Sequence, residues 1–260
     1  MSPSPPAPPQ QNTAAILRPL YARAVRAFLH RDIVLTYSLL TSAFALITPP
    51  STSAPDSLSD HRRKWDILRI TLDVTVYTAP PADSATIPAA LRSNALLSAA
   101  ALLASLHSRS VRLFAPRDRP TPNHACLPAQ VLVTLALASA RIGCPAAGRG
   151  IIEDWLACRT PATTPATSKG GYEKVLEVYL LNILPTLGEW TYATQFLGYE
   201  NELPVQSREP AYRVLIPFPD SNPITPILTD TLKFVRIDHF YAHSSPRKPT
   251  PACLEIEART

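Results

Sequence analysis

The chain of 260 residues has few glycines and few charged side chains for its length. It contains seven Gly residues, and Asp, Glu, Lys and Arg together make up 17% of it. Sheet folds rich in tight turns draw on glycine, so this shortage argues against them. Hydrophobic residues reach 46%, and alanine and leucine are common among them. Both are strong helix formers, so the composition predicts a helical protein with a real core.

Cysteine and long apolar runs are also scarce. The four cysteines are Cys126, Cys144, Cys158 and Cys253, and no two of them form a Cys-x-x-Cys pair. We therefore expect reduced thiols in an intracellular compartment, packed as small hydrophobes rather than joined in disulfides. No apolar run reaches the roughly 18–20 residues that a membrane-crossing helix needs, so the sequence predicts no membrane span.

Negative charge is missing from the beginning of the chain. The first acidic residue is Asp32, and Arg18, Arg23, Arg26 and Arg31 precede it. An Arg-bearing, acid-free helix is typical of a mitochondrial presequence. Five prolines in the first nine residues and the unbroken run into the next helix favour another interpretation, a structural helix with a basic outer face.

The overall charge points to no particular ligand. The formal net charge is +5, and the longest basic cluster is His61-Arg62-Arg63-Lys64. Scattered arginines are typical of a solvated surface, and a nucleic-acid-binding face would concentrate them. The sequence therefore predicts no nucleic-acid partner.

What the chain has in abundance is proline, and its 29 prolines separate apolar runs instead of interrupting them. Apolar residues recur at helical spacing in eight segments. These are 13–29, 32–46, 61–77, 88–108, 128–142, 145–159, 172–184 and 189–202. The prediction is an all-α protein, a degenerate tetratricopeptide-like stack of α-hairpins about eight helices long. Residues 1–12 are expected to be disordered, 13–204 to form the helical domain, and 205–260 to be an irregular or disordered tail.

Several positions in this pattern carry specific expectations. Asp60 is expected to cap the third helix, and positions 111–126 are expected to form a loop. The fifth helix is apolar almost all round, so we expect it inside the array. Gly143 and Gly188 are expected to form the turns after helices five and seven, and Pro185 to end or kink the seventh.

Residues that could carry chemistry do not assemble into a motif. His107, His124 and Cys126 are the only plausible start of a metal site, and no second spaced pair supports one. Glu153 and Asp154 are adjacent but fall on a solvated helix side. No nucleotide-binding or nucleophile motif occurs. We therefore expect no catalytic, cofactor-binding or metal-ligating residue and no cofactor; the sequence does not specify which residues bind a partner.

Other acidic and aromatic residues have ordinary structural explanations. Asp32, Asp66 and Asp73 lack partners at a catalytic spacing. Aromatic residues are enriched in protein interfaces, so Trp155, Tyr179 and Trp190 are candidate partner anchors. Each of the three also falls on the apolar side of its helix, which favours a role in the core.

Positions 127–203 resemble the peroxin-26 family, the peroxisomal receptors for the peroxin-1/peroxin-6 AAA ATPase complex. The shared pattern is a helix that opens with Leu-Pro and is rich in Val and Leu, and a short return helix ending in Trp-Leu. A Tyr-led helix ending in Leu-Pro, a Leu-Gly step and a final helix containing Ala follow. Here those features are Leu127-Pro128, Val131-Leu132, Trp155-Leu156, Tyr172, Leu184-Pro185, Leu187-Gly188 and Ala193. Residues 23–40, RAVRAFLHRDIVLTYSLL, also look like the first hairpin of that family.

The resemblance implies a non-enzymatic adaptor in peroxisome biogenesis and protein import. It would be a helical domain in the cytoplasm, at the peroxisomal surface, that docks the ATPase through peroxin-6. Members of the family carry a C-terminal transmembrane anchor, and no stretch after Leu203 is apolar enough to be one. We therefore expect a form without the anchor, either a truncated or alternatively spliced product or a soluble relative. The alternative function is a tetratricopeptide-like scaffold, mitochondrial if the Arg-bearing start is a presequence.

Overall fold

The computed structural model describes residues 10–52, 56–81, 87–118, 124–159 and 169–203, together with positions 206, 208 and 215. Across these residues the regular structure is helical and no β-strand occurs. The predicted all-α class is therefore confirmed. The repeat-like stacking of tetratricopeptide type stays a prediction. Residues 1–9 and nearly all of the tail predicted at 205–260 lie outside the described residues.

Among the described residues, ten α-helical segments follow one another in sequence. They are α1 (Gln10–Leu29), α2 (Ile33–Leu46), α3 (Ser59–Thr78), α4 (Ala89–Ala95), α5 (Ala99–Phe114), α6 (Ala129–Arg141), α7 (Pro145–Cys158), α8 (Lys169–Val178), α9 (Leu184–Thr186) and α10 (Trp190–Tyr199). A 3-10 turn (His124–Cys126) precedes α6, and a π-helical turn (Tyr179–Ile183) joins α8 to α9.

Helix α6 lies at the centre of the fold. It contacts α3, α5, α7 and α8, as well as the π-helical turn. Val131, Leu132 and Leu135 are completely buried, and full burial of one leucine contributes roughly 1.5–3 kcal/mol. The expectation that this apolar helix lies inside the array is confirmed.

The first helix packs against its hairpin partner α2 and against α3. Leu17 and Ala24 of α1 are completely buried. The ring of Tyr21 meets that of Trp65 edge-to-face at a centroid distance of 5.2 Å, a favoured aromatic geometry. Because α1 begins at Gln10, the last three residues of the segment predicted to be disordered are helical.

The predicted helix 88–108 is wrong in both its continuity and its end. The structure has two helices there, separated at Leu96-Leu97, and Ser98 caps the second by accepting from the amide of Ala101 at 3.3 Å. A serine whose hydroxyl accepts from a free backbone amide is favoured at the cap before a helix over a position inside one. Helix α5 then runs to Phe114, into the segment 111–126 predicted as a loop, since Phe114 is buried there.

The start of α3 also differs from its prediction. Asp60 lies inside the first turn and is not the cap. Asp56 instead accepts from the amide of Leu58 at 3.2 Å and from the hydroxyl of Ser59 at 3.1 Å. The connecting segment is therefore fixed by a carboxylate that comes before the helix.

The turns of the C-terminal half follow their predicted residues. Gly143 and Gly188 have positive φ angles of 81° and 76°, a conformation that glycine adopts without steric cost. Pro185 does not end its helix at once. The backbone widens into the π-helical turn, in which the amide of Leu184 reaches the carbonyl of Tyr179, and the helix ends one residue after the proline, at Thr186.

Candidate functional site

A stripe of ionisable side chains runs along one side of α3. Arg62, Asp66, Arg69 and Asp73 are spaced four, three and four residues apart, so they share one helix face. Asp66 is 0% exposed and Arg62 is 2% exposed. Buried charges are costly unless they are paired, so the partners of this polar stripe decide whether it is structural.

Arg62 and Asp56 form the first pair of the polar stripe. Both terminal nitrogens of Arg62 donate to the Asp56 carboxylate, and Nε donates to the carbonyl of Thr48 at 2.7 Å. Burial raises the pKa of the Asp56 carboxyl, but the hydrogen bonds and charge of Arg62 outweigh it and lower the pKa below its ordinary value. This planar fork ties the α2–α3 connection to α3.

The centre of the polar stripe is less completely satisfied. Asp66 pairs with Arg69, whose guanidinium also lies 5.1 Å from the ring centroid of Phe44. The second carboxylate oxygen of Asp66 is buried and has no hydrogen-bond partner among the described residues. Burial raises the pKa of Asp66, and the charge of Arg69 opposes this.

Asp73 ends the polar stripe and accepts from the side-chain amide of Asn94 at 2.8 Å. Burial raises its pKa, although Asn94, Arg109 and Arg69 act in the opposite direction. The charged carboxylate is therefore less well accommodated in the folded protein than in water.

We expect Asp73→Asn to raise the free energy of unfolding at neutral pH, because the amide keeps an oxygen for Asn94 without a buried charge. The folded-state pKa lies above the unfolded one, so folded wild-type protein takes up the proton first as the pH falls. Wild type should then gain stability relative to the variant until the pH is below 3.8. Urea unfolding of both proteins across this pH range measures the gap, and a gap independent of pH would contradict the assignment.

The structure brings together two of the three residues considered for a metal. The rings of His107 and His124 stack with centroids 5.1 Å apart and planes inclined by 27°. His107 Nε2 and His124 Nδ1 are buried without a hydrogen-bond partner among the described residues. The thiol of Cys126 lies 3.8 Å from the carbonyl of Val111. Burial, and then the neighbouring His124, lower the pKa of His107.

This histidine pair borders a cleft of about 290 Å³. Its walls are His107, Ser108, Val111, Arg112 and His124. Within the described ranges no three His, Cys, Asp or Glu side chains converge as metal ligands. The absence of a metal remains a prediction, and two stacked imidazoles do not make a complete site.

A second polar network joins α7, the π-helical turn and α10. Arg149 bonds Glu153 at 2.7 Å and both carboxylate oxygens of Glu189 at 2.5 Å, and its guanidinium lies 5.1 Å from the Tyr192 ring centroid. Tyr179 donates to Glu153 at 2.7 Å. Burial, and then this hydrogen bond, raise the pKa of Tyr179. Glu153 therefore holds helices together, and its prediction as part of a solvated side is incomplete.

Arg159 organises the end of α7 in a similar way. Its guanidinium lies 3.8 Å from the ring centroid of Tyr172 and pairs with Glu202 at 2.9 Å. The indole of Trp155 donates to the carbonyl of Leu127 at 3.1 Å. Trp155 and Tyr179 are buried, which confirms their predicted core role.

Trp190 is the exception among the three aromatic candidates, because it is only half-buried at the start of α10.

Of the acidic residues considered, Asp32 caps α2 by accepting from the amide of Leu35 at 2.9 Å. Asp154 is exposed on α7.

The outer side of α1 carries positive charge only, among its described residues. Arg18, Arg23 and Arg26 are exposed, and we call these three side chains the cationic face. Ile16 and Leu29 are also exposed, by 48% and 60%, at its two ends. Sequence reasoning identified the basic outer side of this helix but not its two apolar ends, because the apolar pattern alone does not show which of its residues stay outside.

Comparisons with known proteins add no relative to this geometry. No family model, curated protein or solved structure matches the chain. In the described part of the chain, no helix combines the length and the apolar character needed to cross a membrane.

Proposed function

We propose that this protein is an adaptor of peroxisomal protein import that docks an AAA ATPase complex through its helical domain. The docking partner is peroxin-6, and the place of action is the cytoplasmic side of the peroxisome. The protein contributes a binding surface, and the ATPase contributes the chemistry.

One observation supports this proposal above the others. The residues that carry the resemblance to the peroxin-26 family are packing and turn residues of one continuous unit. Trp155 bonds the carbonyl of Leu127, Tyr172 stacks with Arg159, and Leu184 and Ala193 are completely buried. A shared pattern made of interlocking core positions is what a common fold requires.

Co-purification tests the proposal. The full chain, tagged and co-expressed with the N-terminal domain of peroxin-6, is expected to retain that domain through affinity and size-exclusion steps. A chain that elutes as a folded, helical protein without peroxin-6 would sink the proposal.

The Arg-bearing first helix motivates the second candidate, a mitochondrial scaffold. Cleavage of a presequence would remove α1, whose Leu17 and Ala24 are completely buried in the domain, and this favours the adaptor. A C-terminal fluorescent fusion separates the two. Peroxisomal fluorescence from an uncleaved chain is expected, and matrix import with loss of the N-terminus would establish the scaffold instead.

A further inference from the structure

The cationic face is one-sided in charge. The first 31 residues of the chain hold four arginines and no acidic residue. Among the described residues, the side chain of Arg26 donates only to the carbonyl of Ala22 in its own helix, at 3.2 Å. Arg18, Arg23 and Arg26 form no salt bridge to any described residue. Three exposed guanidinium groups on one helix therefore keep their donors available to a partner.

The positive potential continues from α1 onto α3. The charges of Lys64 and Arg18 both act on His61 and, after burial, lower its pKa. Asp60 is the acidic residue beside this group, and it pairs with Arg63 at 2.7 Å. Lys64 of α3 therefore adds positive charge near His61, the residue on which Arg18 also acts, and Asp60 opposes their effect.

We propose that the cationic face binds an acidic helical segment of a protein partner. Ile16 and Leu29 stand at its ends, about 20 Å apart along α1 at 1.5 Å per residue. A helix of about four turns spans that length. Its carboxylates would pair with the three arginines, and one apolar residue near each end would cover Ile16 and Leu29.

A protein segment fits this face better than a lipid surface does. A helix that lies on a membrane buries its apolar side among the lipids. The apolar side of α1, with Leu17, Ala24 and Val25, is already buried in the domain. The outward side of α1 carries charge and, at its two ends, the large apolar side chains of Ile16 and Leu29. That pattern matches a protein interface with charge complementarity.

The inference deepens the proposed function and rests on it only for the identity of the partner. If peroxin-6 is that partner, its docking segment is acidic. The chemistry of the surface is tested without peroxin-6, so the two proposals fail separately.

The probe is a fluorescently labelled synthetic helix of about 18 residues with glutamates at i, i+4 spacing and a leucine near each end. Two variants of the full chain are compared with wild type. The α1 variant replaces Arg18, Arg23 and Arg26 with Glu. The matched control replaces three exposed arginines of other helices with Glu, namely Arg92, Arg112 and Arg141. Each Arg→Glu change removes two charges, so both variants fall from +5 to −1.

Fluorescence anisotropy should show saturable binding of the peptide to wild type, weakened by added salt. The α1 variant should lose at least about tenfold in affinity, and the control should stay within about twofold. Circular dichroism establishes that all three proteins are folded. Equal losses of affinity in both variants would show that net charge alone explains the binding, and this would overturn the proposal. No binding of the peptide by folded wild type would also overturn it.

Phosphatidylserine vesicles form the second arm. Wild type should bind the peptide and not the vesicles. If vesicles bind and the α1 variant alone loses that binding, the face recognises lipid and the proposal is wrong. When purified peroxin-6 is the ligand instead, no binding by wild type contradicts the proposed function alone, and equal binding by wild type and the α1 variant contradicts the assigned surface alone.

Discussion

Replacing Arg62 with Met is expected to lower the free energy of unfolding at neutral pH by about 3 kcal/mol. The substitution removes three N–H donors of Arg62. Two of them donate to the Asp56 carboxylate and one donates to the carbonyl of Thr48. The Asp56 side chain is only 23% exposed, so water replaces these bonds incompletely. Chemical denaturation followed by circular dichroism measures the loss.

Arg63→Met is the matched control, because it changes the neighbouring arginine of the same helix. Its partner Asp60 is 72% exposed, and such a surface pair contributes below about 1 kcal/mol. If both variants lost the same amount, the buried fork would have no special role.

The effect of Arg62→Met should also depend on pH. The pKa of Asp56 is depressed in the folded protein, so its contribution is present at neutral pH and disappears as the pH falls through that depressed value. The stability gap between wild type and Arg62→Met should therefore narrow in strong acid, where only the bond from Arg62 to the carbonyl of Thr48 still distinguishes them. A gap that stays constant would indicate that lost packing, and not the ion pair, explains the change.

The second large effect is expected at Gly148, where α7 crosses α6. A β-carbon at this position would lie 1.9 Å from the hydroxyl oxygen of Ser139 and 2.7 Å from its β-carbon. The side chain of Ser139 is completely buried, so the two helices must separate. Overpacking costs about 1–3 kcal/mol, and better helix propensity returns part of it. We expect Gly148→Ala to destabilise the protein by about 2 kcal/mol.

A rescue experiment identifies the cause. Ser139→Gly removes both overlapping atoms, so the double variant Gly148→Ala/Ser139→Gly moves the glycine from one helix to the other. It should recover to within about 1 kcal/mol of wild type, although Ser139→Gly alone costs about that amount in helix propensity. If the losses of unfolding free energy in the two single variants simply added up in the double variant, the helices would not meet at this point.

Periodicity and turn chemistry were sufficient to predict the all-α class and the approximate positions of most described helices. Leu132 and Leu135 belong to a run that is apolar all round, and α6 is central as predicted. Gly143 and Gly188 occupy left-handed positions because few other residues do so without strain. These features depend on local sequence, so one chain is enough to find them.

The errors arise where tertiary contacts decide. The break at Leu96-Leu97 depends on capping by Ser98, and a run rich in alanine and leucine does not disclose which serine is used. The same holds for the end of α5, where Phe114 stays in the helix because it is buried.

The polar stripe could not be predicted for a related reason. Arg62 lies in a basic cluster that is typical of a solvated surface, yet its partner Asp56 belongs to the preceding connection. From sequence alone a charged residue is predicted to be exposed unless its partner is known, and the fold determines which residue that partner is. The same limit applies to His107 and His124, which are separated in sequence and stacked in the structure.

The central claim, that this helical domain docks peroxin-6, is tested most directly with purified components. Titration calorimetry of the full chain against the N-terminal domain of peroxin-6 should give a saturable, stoichiometric binding curve whose affinity falls as salt is added. A chain that is helical and cooperatively folded but shows no saturable binding at any salt concentration would contradict it.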